Sequence, residues 1–240
     1  VWRWYGLRIT DSAEGIWSVL ALLIAGFFLW RDRSTIKEPS LAIAAILLVV
    51  YAFAFSITPP MIRAMIALSV LVLILPIAPS AGVVGLLALS LPIIPSLQFY
   101  FGYPLRVVTT HIAAWFLSMQ GMEVYAEGTG LLWAGETVWI DAPCSGIKML
   151  WSGLFLSFVL IAFHNVKVLT SLWSTLIAAI VILVGNGLRA SLLFYPETRL
   201  LELPEWTHPA IGVASFLVTA IVIVVLATKM RRSTEDVGYV

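Results

Sequence analysis

Long apolar runs separated by short polar or proline-bearing breaks set the pattern of this chain. They predict about eight transmembrane helices, at 13–30, 40–57, 61–78, 81–99, 105–121, 144–163, 166–189 and 208–228. Each is close to the ~20 mostly apolar residues that a helix needs to cross a bilayer core. The breaks fall at Arg31 to Pro39, Thr58-Pro59-Pro60, Pro76 to Ser80 and Phe101 to Pro104, where proline or charge interrupts the run. Pro92 and Pro95 predict a kink inside the fourth span. The fifth is short and contains His111.

The segment 122–143 departs from this pattern. It holds Glu123, Glu127, Glu136 and Asp141 and no Lys or Arg, and its residues partly alternate between polar and apolar around Gly128-Thr129-Gly130. Alternation broken by glycine predicts a small β-hairpin lying on the membrane surface. The fold class expected is therefore an all-α polytopic membrane protein with a small extracytoplasmic hairpin. It forms a single integral membrane domain over 1–240, with a four-helix half at 1–104 and a second half at 105–240.

Composition agrees. Hydrophobic residues make up 61% of the 240 and charged ones 11%, against about 25% charged in a soluble globular domain. The mean hydropathy is +1.01. A net charge of +1 points to no nucleic-acid partner, so the lipid bilayer is the expected surroundings. One cysteine cannot form an intramolecular disulfide, and no CxxC or Cys/His cluster offers a metal site, so no cofactor is expected. The chain opens on Val1 without a recognisable signal peptide, and the first span is expected to serve as its own insertion signal.

Charge sets the orientation. Loops without basic residues belong outside, whereas the tail Lys229-Met230-Arg231-Arg232 belongs in the cytoplasm. Walking back from that tail places His208, Arg189 and Cys144 at the outer face, and Lys167, Arg106 and Arg63 in inside loops. One connection disagrees: Arg31 to Glu38 carries three basic residues against two acidic, yet an eight-span count puts it outside as a local violation of the rule.

The same walk gathers the candidate chemistry. Cys144 opens the sixth predicted span, Arg189 closes the seventh and His208 opens the eighth, so alternating direction brings all three to one face. A free thiol is only a few per cent thiolate at neutral pH, and a helix N-terminus and a nearby cation both favour the thiolate. Pro143 before the cysteine and Ser145-Gly146 after it fit a helix start. His208 suits proton transfer, as in other Cys–His enzymes, and Arg189 is a permanent donor for an oxyanion. Asn186 sits three residues before Arg189, on the same helix face. Singly, Cys144 and His208 read as packing and interface residues, and Arg189 as a snorkelling side chain. A charged residue within a span is costly enough to be functional by default, and together the three favour a catalytic site.

Other polar residues weigh less. His164 falls at the opposite end of its span from Cys144, and His111 reads as a helix-packing residue. Glu136 and Asp141 are placed to orient His208 or bind substrate, although loop solvation explains them equally. Trp2, Trp4, Trp133, Trp139 and Trp206 read as interfacial anchors. A small transporter or a non-catalytic membrane scaffold is the alternative, but the ionisable residues gather at one face and no internal repeat is visible.

The ordered set Pro143-Cys144-Ser145-Gly146-Ile147, then Asn186-Gly187-Leu188-Arg189, then His208-Pro209-Ala210-Ile211-Gly212 resembles the motifs of the exosortase/archaeosortase family over roughly 95–228. The resemblance implies a multi-pass membrane cysteine transpeptidase in which Cys144 is the nucleophile, Arg189 the arginine of the site and His208 its third member. Histidine in the third position is similar to the bacterial exosortase branch, and the chain looks like a stand-alone core. Asn186, Ser145 and Lys148 are expected to support the site or contact substrate; Lys148 stands where many bacterial members are expected to carry arginine. The substrates implied are exported proteins with a C-terminal motif such as Pro-Glu-Pro, a transmembrane helix and a basic tail (PEP-CTERM-like). The implied location is the bacterial inner membrane, with the site on the extracytoplasmic side.

Overall fold

The computed structural model describes residues 2–11 and 15–236, with side chains for 3–10 and 15–230. The first two residues of the first predicted span and the side chains of Trp2, Arg231 and Arg232 lie outside the described residues. Nine helices and one small sheet occupy the described chain. They form two compact units, 1–96 with 157–172, and 97–156 with 173–240.

The first unit holds α1 (Trp2–Asp11), α2 (Gly15–Arg31), α3 (Leu41–Ala54), α4 (Pro60–Ile74) and α5 (Ala81–Leu89). Thr58-Pro59-Pro60 does end one helix and start the next: Pro60 is the first residue of α4, where a missing N–H costs nothing. Ser80 caps α5 through its hydroxyl, which accepts from the Val83 N–H. The connections 32–40 and 75–80 are tied together, with Lys37 N–H donating to the Pro76 carbonyl and Ala78 N–H to that of Thr35, each at 3.0 Å.

The second unit holds most of α6 (Ile94–Ser118), strands β1 (Tyr125–Glu127), β2 (Gly130–Trp133) and β3 (Glu136–Trp139), the N-terminal part of α7 (Ile147–His164), most of α8 (Val168–Glu197) and α9 (Thr207–Asp236). Where the sequence predicted a hairpin, the chain makes a three-stranded antiparallel sheet in the order β1-β2-β3. Its inner face joins α6 and α8 in a core of Ala113, Leu117, Val124, Leu131, Ile140 and Phe194, with Trp133 edge-on to Phe194. Trp133 thus packs, partly buried, against this core. His111, expected to pack between helices, is exposed and bonds the Val107 carbonyl of its own helix.

The eight-span division does not hold as drawn. Among the described residues, three helical segments (Ala142–His164, Val168–Glu197 and Thr207–Met230) are long and apolar enough to cross a membrane, or up to five if each bent pair counts as one; α3 and α4 are shorter. The predicted break at Phe101 to Pro104 lies inside α6, because a proline within a helix costs one backbone hydrogen bond and a kink rather than the helix. The chain breaks instead at Ser90 to Ile93, around Pro92, where α5 and α6 meet at 91°. The predicted spans 81–99 and 105–121 are therefore one bent pair.

Arg31 donates to the Ala162 carbonyl at 2.9 Å, and Gly82 packs against Phe158 and Ala162. The basic connection 32–40 thus sits at the His164 end of α7.

Candidate active site

Cys144 does not lie in the first turn of a helix, as the sequence suggested. It ends a 3-10 turn, Ala142–Cys144, and α7 begins three residues later. Gly146 between them adopts φ +82°, a left-handed conformation that strains any residue with a side chain. Space is closed as well: a Cβ at Gly146 would stand 2.6 Å from Asn186 Nδ2. The glycine in Cys-Ser-Gly therefore serves both the turn and the approach of α8.

Side chains from two helices hold this turn. Asn186, 2% exposed on α8, donates from Nδ2 to the Cys144 carbonyl at 3.1 Å and to Thr109 Oγ1 of α6 at 2.9 Å. Ser145, also 2% exposed, donates to Gln98 Oε1 at 3.2 Å, and Gln98 Nε2 reaches the Ala142 carbonyl at 3.5 Å. Gly187 packs against Ile112 of α6 and Gly185 against Thr219 of α9, so the residues flanking Asn186 let three helices close on it.

The thiol faces a cavity of about 100 Å³ shared with His208. Its walls come from the end of the sheet (Leu131, Val138, Trp139, Ile140), from Asp141, and from Ala190, Leu193, Phe194 and Glu197 of α8. Cys144 is half-buried and His208 exposed at the first turn of α9. Arg189 lies beside this cavity rather than in its wall. Its guanidinium packs on Gly212, with Nε 3.5 Å from where a Cβ would be, and Gly212 is one turn beyond His208 on the same face of α9. Arg189 Nε is buried without a hydrogen-bond partner among the described residues. Among the described residues, Arg189, Asp141 and Glu197 bring charge near Cys144.

The arrangement has chemical consequences. The Cys144 N–H is committed to the Asp141 carbonyl at 2.9 Å and the Ser145 N–H to that of Ala142 at 3.2 Å. Both N–H groups are thus used within the turn, while Arg189 Nε has no partner among the described residues. No group of His, Cys, Asp or Glu able to hold a metal occurs among the described residues.

The family model for transmembrane exosortases matches residues 9–225. The chain belongs to the transmembrane exosortase family. No curated protein and no solved structure matches it. Family membership and the apolar helices make it a membrane protein of a transpeptidase family.

The predicted residues separate into two groups within this exosortase-family chain. Cys144 and His208 line the cavity with Arg189 beside it, and Asn186 and Ser145 brace the cysteine turn. Lys148 is exposed in the first turn of α7 and is not among the residues lining the cavity. Glu136 lies on β3 away from the cavity, whereas Asp141 lines it. Sequence reasoning missed Glu197 because it ended the seventh span at Arg189, whereas α8 continues for eight more residues. The spacing of Ala190, Leu193, Phe194 and Glu197 at i, i+3, i+4 and i+7 is the signal that reveals this face. Gln98 and Thr109 carried no such signal; only their contacts identify them.

Proposed function

We propose that this protein is a membrane-embedded cysteine protease/transpeptidase that cleaves the C-terminal sorting signals of exported proteins, PEP-CTERM-like in type. His208 takes the Cys144 thiol proton, the thiolate attacks the carbonyl at the sorting motif, and Arg189 stabilises the negative charge that develops on its oxygen. The C–N bond breaks, His208 protonates the leaving amine, and the polypeptide remains on Cys144 as a thioester. An acceptor amine or water then resolves the acyl-enzyme. The shared cavity of Cys144 and His208, with Arg189 packed one turn from His208, carries this reading.

The site works on the extracytoplasmic side of the bacterial inner membrane. The basic run Lys229-Met230-Arg231-Arg232, toward the C-terminal end of α9 and away from His208 at its start, supports that orientation. A substrate helix crossing the bilayer would present its motif at the outer interface beside Cys144. The experiment is processing, in membranes, of an exported reporter with a C-terminal motif, transmembrane helix and basic tail. Wild-type chain should process it and Cys144→Ala should not; continued processing by Cys144→Ala would end the assignment.

A further inference from the structure

The sheet beside the cavity has an open side. β3 is its edge strand, paired only to β2. The register that sets Gly130 opposite Trp139 continues to Thr129 opposite Ile140, where the Ile140 N–H donates to the Thr129 carbonyl at 2.9 Å. Hydrogen-bonded pairs alternate along an antiparallel ladder, so Val138 and Glu136 also direct their main-chain groups to β2. The turn at Ala134-Gly135, with φ of 51° and 83°, is the two-residue type that a bonded Trp133–Glu136 pair closes. The N–H and C=O of Thr137 and Trp139 therefore point away from β2. Beyond the sheet's own ladder, no backbone hydrogen bond engages either residue among the described residues, and both residues are exposed.

This edge leads into the site. Val138, Trp139, Ile140 and Asp141 line the cavity that holds Cys144 and His208, and the turn ending at Cys144 follows directly. An unpaired strand edge is a template for an extended peptide, which gains main-chain hydrogen bonds there and specificity from alternate side chains. We infer that the exported polypeptide docks as a fourth strand on the free edge of β3, pairing with the main chains of Thr137 and Trp139 and carrying the scissile carbonyl to Cys144 in extended form. The inference rests on the transpeptidase reading above and adds the substrate's conformation and register to it.

Proline at 137 removes an outward N–H while leaving the ladder to β2 intact. Thr137→Pro should process the membrane-anchored reporter at least about tenfold more slowly, as expected for a lost main-chain hydrogen bond and its neighbours. Alkylation of Cys144 by N-ethylmaleimide should be unchanged in Thr137→Pro, so that the thiol's surroundings are shown to be kept. A second measurement needs neither proline nor turnover. In Cys144→Ala chain carrying Thr137→Cys, disulfide trapping is scanned with single cysteines along the reporter upstream of its transmembrane helix. Trapping should recur at every second reporter position. Wild-type processing by Thr137→Pro, or trapping that is absent or uniform along a reporter that wild-type chain does process, would overturn strand docking. Failure of wild-type chain to process the reporter would instead count against the transpeptidase reading.

Discussion

The side-chain amide of Asn186 holds the backbone carbonyl of Cys144 at 3.1 Å and the hydroxyl of Thr109 at 2.9 Å, both from Nδ2. One buried amide thus fixes the cysteine turn to α6 and α8 together. Asn186→Ala leaves two buried partners unsatisfied, at a cost of about 1–3 kcal/mol. Thermal unfolding in detergent should show that loss, and reporter processing should fall by more than the folded fraction does, because the thiol is no longer held.

Gly146 faces the same amide at a φ of +82°, and a Cβ there would stand 2.6 Å from Nδ2. Gly146→Ala should therefore combine strain of about 1–3 kcal/mol with displacement of Asn186. The expected result is loss of processing with a lowered unfolding temperature. Adding Asn186→Ala to it should cost less than the sum of the two single changes, which a double-mutant cycle would read out.

Arg189 and Gly212 offer a graded test. A Cβ at 212 would meet Arg189 Nε at 3.5 Å, an ordinary contact. Gly212→Ala should retain near wild-type processing, whereas Gly212→Leu should push the guanidinium aside and impair it. Arg189→Lys should lose processing by about 10²–10³-fold, since a point charge does not reproduce the planar donor fork. Retention of wild-type rates by Arg189→Lys would remove the oxyanion role.

The faces of the chain are open to direct labelling, because Cys144 is its single cysteine. In Cys144→Ala chain, Glu136→Cys should react with an impermeant maleimide added outside intact cells. Lys229→Cys, near the other end of α9 from His208, should react only after the membrane is opened. Equal reactivity from outside would count against an extracytoplasmic site.

Helices and the order of the three motif residues were legible in the sequence because apolar length, proline breaks and charge bias are local signals. The break between α5 and α6 was not, since it depends on whether Pro92 or Pro104 ends a helix, and packing decides that. Glu197 was hidden by the same kind of boundary: Arg189 looked like a helix end, yet α8 continues through Pro196. Gln98 and Thr109 are ordinary polar residues on α6, recognisable only once Ser145 and Asn186 are seen bonded to them.

The central claim is covalent, and a trapped intermediate tests it most directly. Membranes processing the reporter are quenched with acid, and the peptide containing Cys144 is weighed by mass spectrometry with and without hydroxylamine. The account predicts a hydroxylamine-labile adduct of the reporter's new C-terminus on Cys144, accumulating when the acceptor is withheld. Steady processing with Cys144 unmodified throughout, and no labile adduct at any time, would contradict it.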